Sequence, residues 1–189
     1  MTAQVPMIDV SANNHPTDEP IQWARVRAAG YGAVMVKATE GADYVNPWLA
    51  RDANAASQAG LEVGYYHFAH PAATDSATQA EHALAAIDGL PRSLGLALDL
   101  EVGEGISWNG LAVWAQEFHR VALQTVDHSP LYVNDYYLAN LPGAPWGVRL
   151  WLAQTARPRR QVWAWQATQP IQVNGIVTPT DVGFLHPDA

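Results

Sequence analysis

In LGLALDLE, residues 94–101, apolar residues alternate with short or acidic ones at the two-residue period of a β-strand. Leu96, Leu98 and Leu100 share one face, the greasy one that packs on helices, and Gly95, Ala97, Asp99 and Glu101 share the other. This run is the fourth of a series. Before it, the runs 5–10, 33–38 and 61–68 each lead into a helix-like segment: 21–29 closed by Gly30, one opened by Asn46 and Pro47 and closed by Gly60, and 74–88 followed by Gly89. After it comes an amphipathic segment over 109–126, with Leu111, Trp114, Phe118, Val121 and Thr125 at three- and four-residue spacing, and then a fifth run, 131–134.

Beyond about residue 140, the stretches 149–153, 162–167 and 172–177 read as strands with gaps too short for crossover helices. Five βα units followed by three further strands predict an α/β fold, a modified β/α barrel shorter than the roughly 250 residues of a complete eightfold one. An open doubly wound sheet is the competing architecture, and no G-x-G-x-x-G or P-loop opens a helix to favour it.

The 189 residues, 49% hydrophobic and 15% charged, supply one core, so residues 1–189 are expected to form a single domain. Without cysteine there is no disulfide framework, thiolate metal site or cysteine nucleophile. A net charge of −8 with scattered basic residues argues against nucleic acid as a partner. The cluster Arg157, Arg159 and Arg160 reads as a solvated loop, with contact to carboxylates of a partner as the lesser reading. Lys37, the only lysine beside nine arginines, reads as compositional bias. No window reaches the roughly 20 apolar residues of a spanning helix, and MTAQVPMIDV carries no export signal, so membrane insertion is not expected.

In β/α barrels the reacting groups sit at the C-terminal strand ends, which is where Asp99 and Glu101 fall. At ~3.3 Å per residue their Cα atoms stand roughly 6.6 Å apart, and two close carboxyls in a partly dry cleft cannot both ionise cheaply. One keeps its proton and can serve as a general acid. Asp9 ends the first strand and Asp181 lies in the turn-like TPTDVG after the last; barrel closure brings both toward the same mouth. Strand ends also carry Tyr66, His67 and Phe68, then Tyr132, Trp151, Trp165 and Gln166, a mixture of rings and amides that suits a sugar. Trp114 and Trp163 are expected in the core, and His67 and His70 are not expected to bind a metal.

In order along the chain, MIDVS, VKATEG (36–41), AGLEVGYYHF (59–68), LALDLE (96–101), LYVN (131–134), LWLA (150–153), WQAT (165–168) and the late Asp181 resemble glycoside hydrolase family 25 over nearly the whole length. The resemblance implies an N-acetylmuramidase type of lysozyme that cleaves the β-1,4 bond between N-acetylmuramic acid and N-acetylglucosamine. It assigns Glu101 as general acid/base and Asp99 as its partner carboxylate, with Asp9 and Asp181 completing the site. Tyr66, His67, Tyr132, Trp151, Trp165, Gln166 and Glu40 are the expected substrate-binding residues; no metal or cofactor is expected. The stretch SANNHPTDEP after Asp9 is longer and more polar than the family pattern. Asp99 is expected to orient the substrate's own 2-acetamido group for attack, a retaining course; activation of water by Asp9 or Asp181, an inverting one, stays open.

The implied partner is the glycan strand of bacterial peptidoglycan, with a separate wall-binding domain or a holin in the biological setting. The expected setting is a phage endolysin, made in the host cytoplasm and acting on the wall after release, or the catalytic part of a larger lysin. The alternatives are a catalytically weak wall-binding or tail-associated module of the same fold, and a chitin-type glycosidase.

Overall fold

A computed structural model of the chain describes residues 4–167 and 169–186; Thr168, the last residue of WQAT, lies outside them. The elements run β1 (Val5–Val10), α1 (Trp23–Ala28), β2 (Ala33–Glu40), β3 (Tyr44–Val45), α2 (Leu49–Gln58), β4 (Glu62–Phe68), α3 (Ser76–Ala86), β5 (Leu96–Asp99), α4 (Trp108–Ala122), β6 (Leu131–Asn134), α5 (Asp135–Asn140), β7 (Leu150–Ala153), β8 (Ala164–Gln166), β9 (Ile171–Gln172) and β10 (Pro179–Leu185). β1, β2, β4, β5, β6, β7 and β8 lie parallel in that order, and β10 closes the circle between β8 and β1, antiparallel to both. The result is a closed eight-stranded barrel with five βα units and three further strands.

The eighth barrel strand is therefore 179–185, not 172–177. The apolar residues of the earlier stretch have another use. Val173 and Ile176 are buried in the outer core, and Gly175 accepts a hydrogen bond from Gln22 N at the start of α1. Only Ile171 and Gln172 remain extended, as a short antiparallel partner for the start of β10. Asp181 accordingly sits within a strand and not in a turn beyond it.

Strand alternation separates two cores. Outward residues, among them Ile8, Val34, Val36, Leu96, Leu98, Leu100, Leu131 and Leu152, meet the helix residues Val26, Ala53, Ala83, Leu111 and Phe118. Inward residues Met7, Ala33, Met35, Ala97, Tyr132, Trp151 and Ala164, joined by Trp163 just ahead of β8, fill the barrel itself. Bulk inside is matched by a gap: a Cβ on Gly64 would lie 2.7 Å from Met35 Sδ and 2.7 Å from Leu94 Cβ. Gly95 precedes β5 with φ +78°, where a Cβ would come 1.9 Å from His128 O, so only glycine fits at that strand entrance.

Capping explains where the helices begin. Asp75, Ser107 and Asn134 accept the backbone N–H of Thr78, Gly110 and Tyr137 at the heads of α3, α4 and α5. Asn46 opens the turn into α2 by accepting Trp48 N–H, while its amide donates to Lys37 O at 2.8 Å. The polar stretch after Asp9 is ordered by Ser11, which caps the short 3-10 turn 12–14, and by His15, whose Nε2 lies 2.8 Å from Asp52 Oδ2 and whose ring stacks on Trp48 at 3.8 Å.

Leu98 is fully buried between β5 and the helices and touches no part of the barrel mouth. Leu98→Ala is expected to destabilise the protein by about 2–5 kcal/mol through lost burial and a residual cavity. Urea unfolding measures this, and activity per folded molecule should be unchanged.

Candidate active site

The C-terminal ends of the parallel strands open on a cleft of about 220 Å³. Register explains which side chains reach it. Asp9 on β1 is paired with Asp181 on β10, and Tyr66 on β4 with Lys37 on β2. Phe68 pairs with Asp99, Asp99 with Tyr132, and Tyr132 with Trp151. Gln166 enters from β8, Glu101 stands two residues beyond β5 at the exposed rim, and Ser11 and Asn13 close one wall. All four sequence-proposed acids thus share one cavity.

The electrostatics follow from putting four carboxyls there. Burial pushes Asp9 well above the usual carboxylate range, and the charges of Asp181 and Glu101 push the same way. Burial raises Asp99 strongly as well, reinforced by Glu101, while Lys37 opposes. Glu101 and Asp181 are raised chiefly by burial; Glu101 is eased by a hydrogen bond with Asp99 and Asp181 by one with Gln166. Glu101 is open to solvent from above and enclosed by protein below, so its proton is held more tightly than on a free surface yet remains exchangeable. Tyr66 and Tyr132 stay protonated far beyond their usual range because they are buried beside these acids.

Three polar atoms on the cleft wall, Asp99 Oδ1, Trp151 Nε1 and Gln166 Oε1, are buried without a hydrogen-bond partner. Unpartnered buried atoms are uncommon, and here they converge on one cavity as one donor and two acceptors for a ligand. Trp151 is fixed edge-on against Tyr132, ring centroids 4.6 Å apart, and more loosely against Tyr66 at 6.5 Å. Among the described residues no group of His, Cys, Asp and Glu is arranged to hold a metal ion.

Two expected sugar contacts lie elsewhere. His67 points outward from β4: its Nδ1 meets Thr39 Oγ1 at 2.8 Å, its Nε2 meets Gln79 Oε1 at 2.9 Å, and its ring stacks on Phe118. Burial lowers it to about 4, so it is a neutral tie between barrel and helices. Trp165 also faces outward, paired with Leu152 and stacked on Phe184, with its indole N–H given to Gln154 O. The cause is alternation: in each case the neighbour, Tyr66 or Gln166, takes the inward position. Trp163 is core as expected, although inside the barrel.

Glu40 lies beside the cleft, in a groove of about 310 Å³ shared with Ser11, Asn13, Lys37 and Tyr44. It reaches that side because β2 carries a bulge between Lys37 and Thr39, which shifts the pairing with β4 by one residue. Lys37, set aside in the sequence as compositional bias, is the cation of the cleft lining: its Nζ lies 5.0 Å from the Phe68 ring centre and donates to Glu40. The signal available was position, since VKATEG ends a strand one pairing away from the acids.

Residues 8–176 match the sequence profile of glycosyl hydrolases family 25. The chain belongs to that family. The autolytic lysozyme of Clostridium acetobutylicum is 27% identical over 167 residues, 86% of this chain and 51% of that protein. The N,O-diacetylmuramidase of Chalaropsis sp is 30% identical over 136 residues, 65% of this chain and 64% of that protein. This chain spans about half to two thirds of the length of these relatives. The bacterial lysozyme from Streptomyces coelicolor superposes with a TM-score of 0.84 at 23% identity, over 98% of this chain and 94% of that one, a likeness of fold.

A carboxyl whose native value is raised stabilises the fold fully below its unfolded value of about 4 and loses that contribution as pH rises through the elevated native value. Asp9 is such a group. Asp9→Asn is therefore expected to be more stable than the parent near neutral pH and to lose the advantage toward about pH 4. Denaturant midpoints across that range measure it, and a variant less stable at neutral pH would contradict burial of a repelled charge.

Proposed function

We propose that this family 25 domain is a peptidoglycan hydrolase, a lysozyme that cleaves the β-1,4 bond between N-acetylmuramic acid and N-acetylglucosamine. The observation that carries the reading is the convergence of Asp99 and Glu101, on one face of β5 and its extension, with Asp9 and Asp181 across the same cleft. The likeness to an autolytic lysozyme and a muramidase supports the choice of substrate.

Glu101 is the general acid. Its raised proton affinity keeps it charged with a proton in the pH range where an ordinary glutamate has lost one, and its place at the rim lets it reach a glycosidic oxygen. It donates that proton to the leaving oxygen as the bond to the anomeric carbon breaks. Asp99 lies deeper and orients the substrate's 2-acetamido group, whose carbonyl oxygen attacks the same carbon as the leaving group departs. Water then adds at the anomeric carbon and gives its proton to Glu101, which restores the acid, and the acetamido group is released unchanged. The configuration is retained. Trp151 and Gln166 supply the donor and acceptor that fix the ring, and Tyr66 and Tyr132 supply hydroxyls.

The site works on the bacterial wall, in the manner of an endolysin catalytic domain. Further wall-binding parts, where present, lie outside this chain, as the greater length of the relatives allows. A chitin-type hydrolase shares the carboxylate logic and is separated by the sugar left at the new reducing end.

Glu101→Gln should keep the fold and lower reducing-end release from purified wall by about 100- to 10,000-fold. Mass spectrometry of the wild-type digest should find muramic acid at the new reducing ends; glucosamine there would overturn the substrate, and near-normal turnover in the variant would overturn the acid.

A further inference from the structure

The loop that carries Glu101 onward from β5 is tied to the loop after β4 through Glu104. Glu104, three residues after Glu101, adopts a left-handed backbone with φ 48°, uncommon for a residue other than glycine. Its carboxylate takes two bonds: Oε2 accepts the Ala72 backbone N–H at 2.7 Å, and Oε1 lies 2.6 Å from His70 Nδ1. The other ring nitrogen, His70 Nε2, lies 3.0 Å from Glu40 Oε1, and Glu40 Oε2 takes the ammonium of Lys37 at 2.5 Å. A continuous chain therefore runs from the Glu101 loop through Glu104, His70 and Glu40 to Lys37 in the cleft lining.

We infer that His70 is a positioning residue, an imidazolium clamp that holds the Glu101 loop against the end of β2 and so fixes where the acid stands. The inference rests on the muramidase reading of the cleft and deepens it. Donor counting carries it. Two ionised carboxylates offer only acceptors, so both bonds to the ring require both nitrogens to bear hydrogen, which only the charged imidazole does. A neutral ring can serve one carboxylate; the other then faces a lone pair and lets go.

The surroundings favour the charged form. The charged groups facing the ring are Glu104 from the β5–α4 loop and Glu40, backed by Lys37, from β2; β4 contributes the Phe68 ring, 5.4 Å away, and His67, which its own burial and the His70 charge hold in the neutral form. From α3, the neutral Gln79 bonds the His70 backbone on both sides, accepting its N–H and donating to its C=O, which anchors the residue without touching the imidazole. The bonds to Glu104 and Glu40 raise His70 above its ordinary value, and the same ring lowers Glu104. The clamp is complete between the ordinary glutamate value of about 4.5, above which Glu40 and Glu104 are ionised, and about pH 6.5, and it opens as pH rises through the elevated His70 value.

The test combines turnover with a readout of loop order, using the whole chain with its cleft acids intact. Glu101 ionisation gives every variant an alkaline decline of its own, so the informative quantity is the ratio of variant to wild-type turnover at each pH. Arginine can bridge both carboxylates wherever they are ionised, so the H70R-to-wild-type ratio for cleavage of soluble glycan strands stripped of their peptides should rise about tenfold through the His70 titration. H70Q, whose donors all sit on one nitrogen and cannot span two carboxylates placed at opposite ring nitrogens, should show the reduced level at low pH with kcat affected more than KM. In parallel, NMR should show the Ala72 amide shift and the backbone order of Gly103 and Gly105 changing with the midpoint of the His70 ring, unchanging in H70R, and low throughout in H70Q. Loop order independent of pH and equal in H70Q and wild type would overturn the clamp. Absence of turnover in every variant would count against the muramidase reading alone, because loop order still decides the clamp.

Discussion

Closure of the barrel by β10 is the constraint on which the site depends. Seven parallel strands alone would leave β1 and β8 as open edges, with unpaired backbone groups and Met7 exposed on the inner face. β10 fills the gap, antiparallel to both neighbours, and its register sets Asp181 opposite Asp9 and Gly183 opposite Gln166. The glycine is required there: a Cβ at 183 would lie 2.3 Å from Trp165 O. One strand therefore closes the hydrogen-bond circuit and brings the second pair of acids to the mouth already occupied by Asp99 and Glu101.

That arrangement works against stability. Burial raises the proton affinity of all four carboxyls around one small cleft, and neighbouring acids raise Asp9, Asp99 and Glu101 further. The two cores on either side of the strands must offset this. The interior below the acids is filled, with Met7, Met35, Trp151 and Trp163 buried in one cluster with Ala33, Ala97 and Ala164, and close packing of this kind resists displacement of the floor under the site. A rigid floor is what keeps carboxyls at a fixed separation when mutual repulsion would spread them, and the unpartnered atoms of Asp99, Trp151 and Gln166 are positioned by it before any ligand arrives.

Much of this was legible in the chain because β-strand alternation is a local signal. The leucines at 96, 98 and 100 dictated an outward face, and Asp99 and Glu101 followed inward. The same rule, applied with attention to parity, separates Tyr66 from His67 and Gln166 from Trp165; grouping them as strand-end rings blurred it. What was not legible depends on irregularity or distance. The exchange of 172–177 for 179–185 as the last strand reflects burial of Val173 and Ile176 beside α1, a tertiary event that no local pattern announces. The bulge in β2 is equally silent: Lys37 and Glu40 are three apart and would face opposite sides of a regular strand.

The bulge also explains why a single lysine matters in an acidic protein. By shifting Thr39 outward to His67 and Glu40 toward the rim, it sets an ammonium and a carboxylate side by side, and Asn46 satisfies the Lys37 and Ala38 carbonyls at the distorted segment. Lys37 lowers the proton affinity of Asp99, against the combined effect of burial and Glu101. Lys37 is thus a counterweight to a strong upward push: burial and Glu101 raise Asp99 most, while Glu101, two residues beyond β5, is raised by burial and by Asp181 and eased by its hydrogen bond with Asp99. Division of labour between orienting carboxylate and general acid requires that two acids so close in sequence stand in different surroundings. In this fold the asymmetry comes from depth, because Asp99 is buried on β5 while Glu101 stands at the exposed rim.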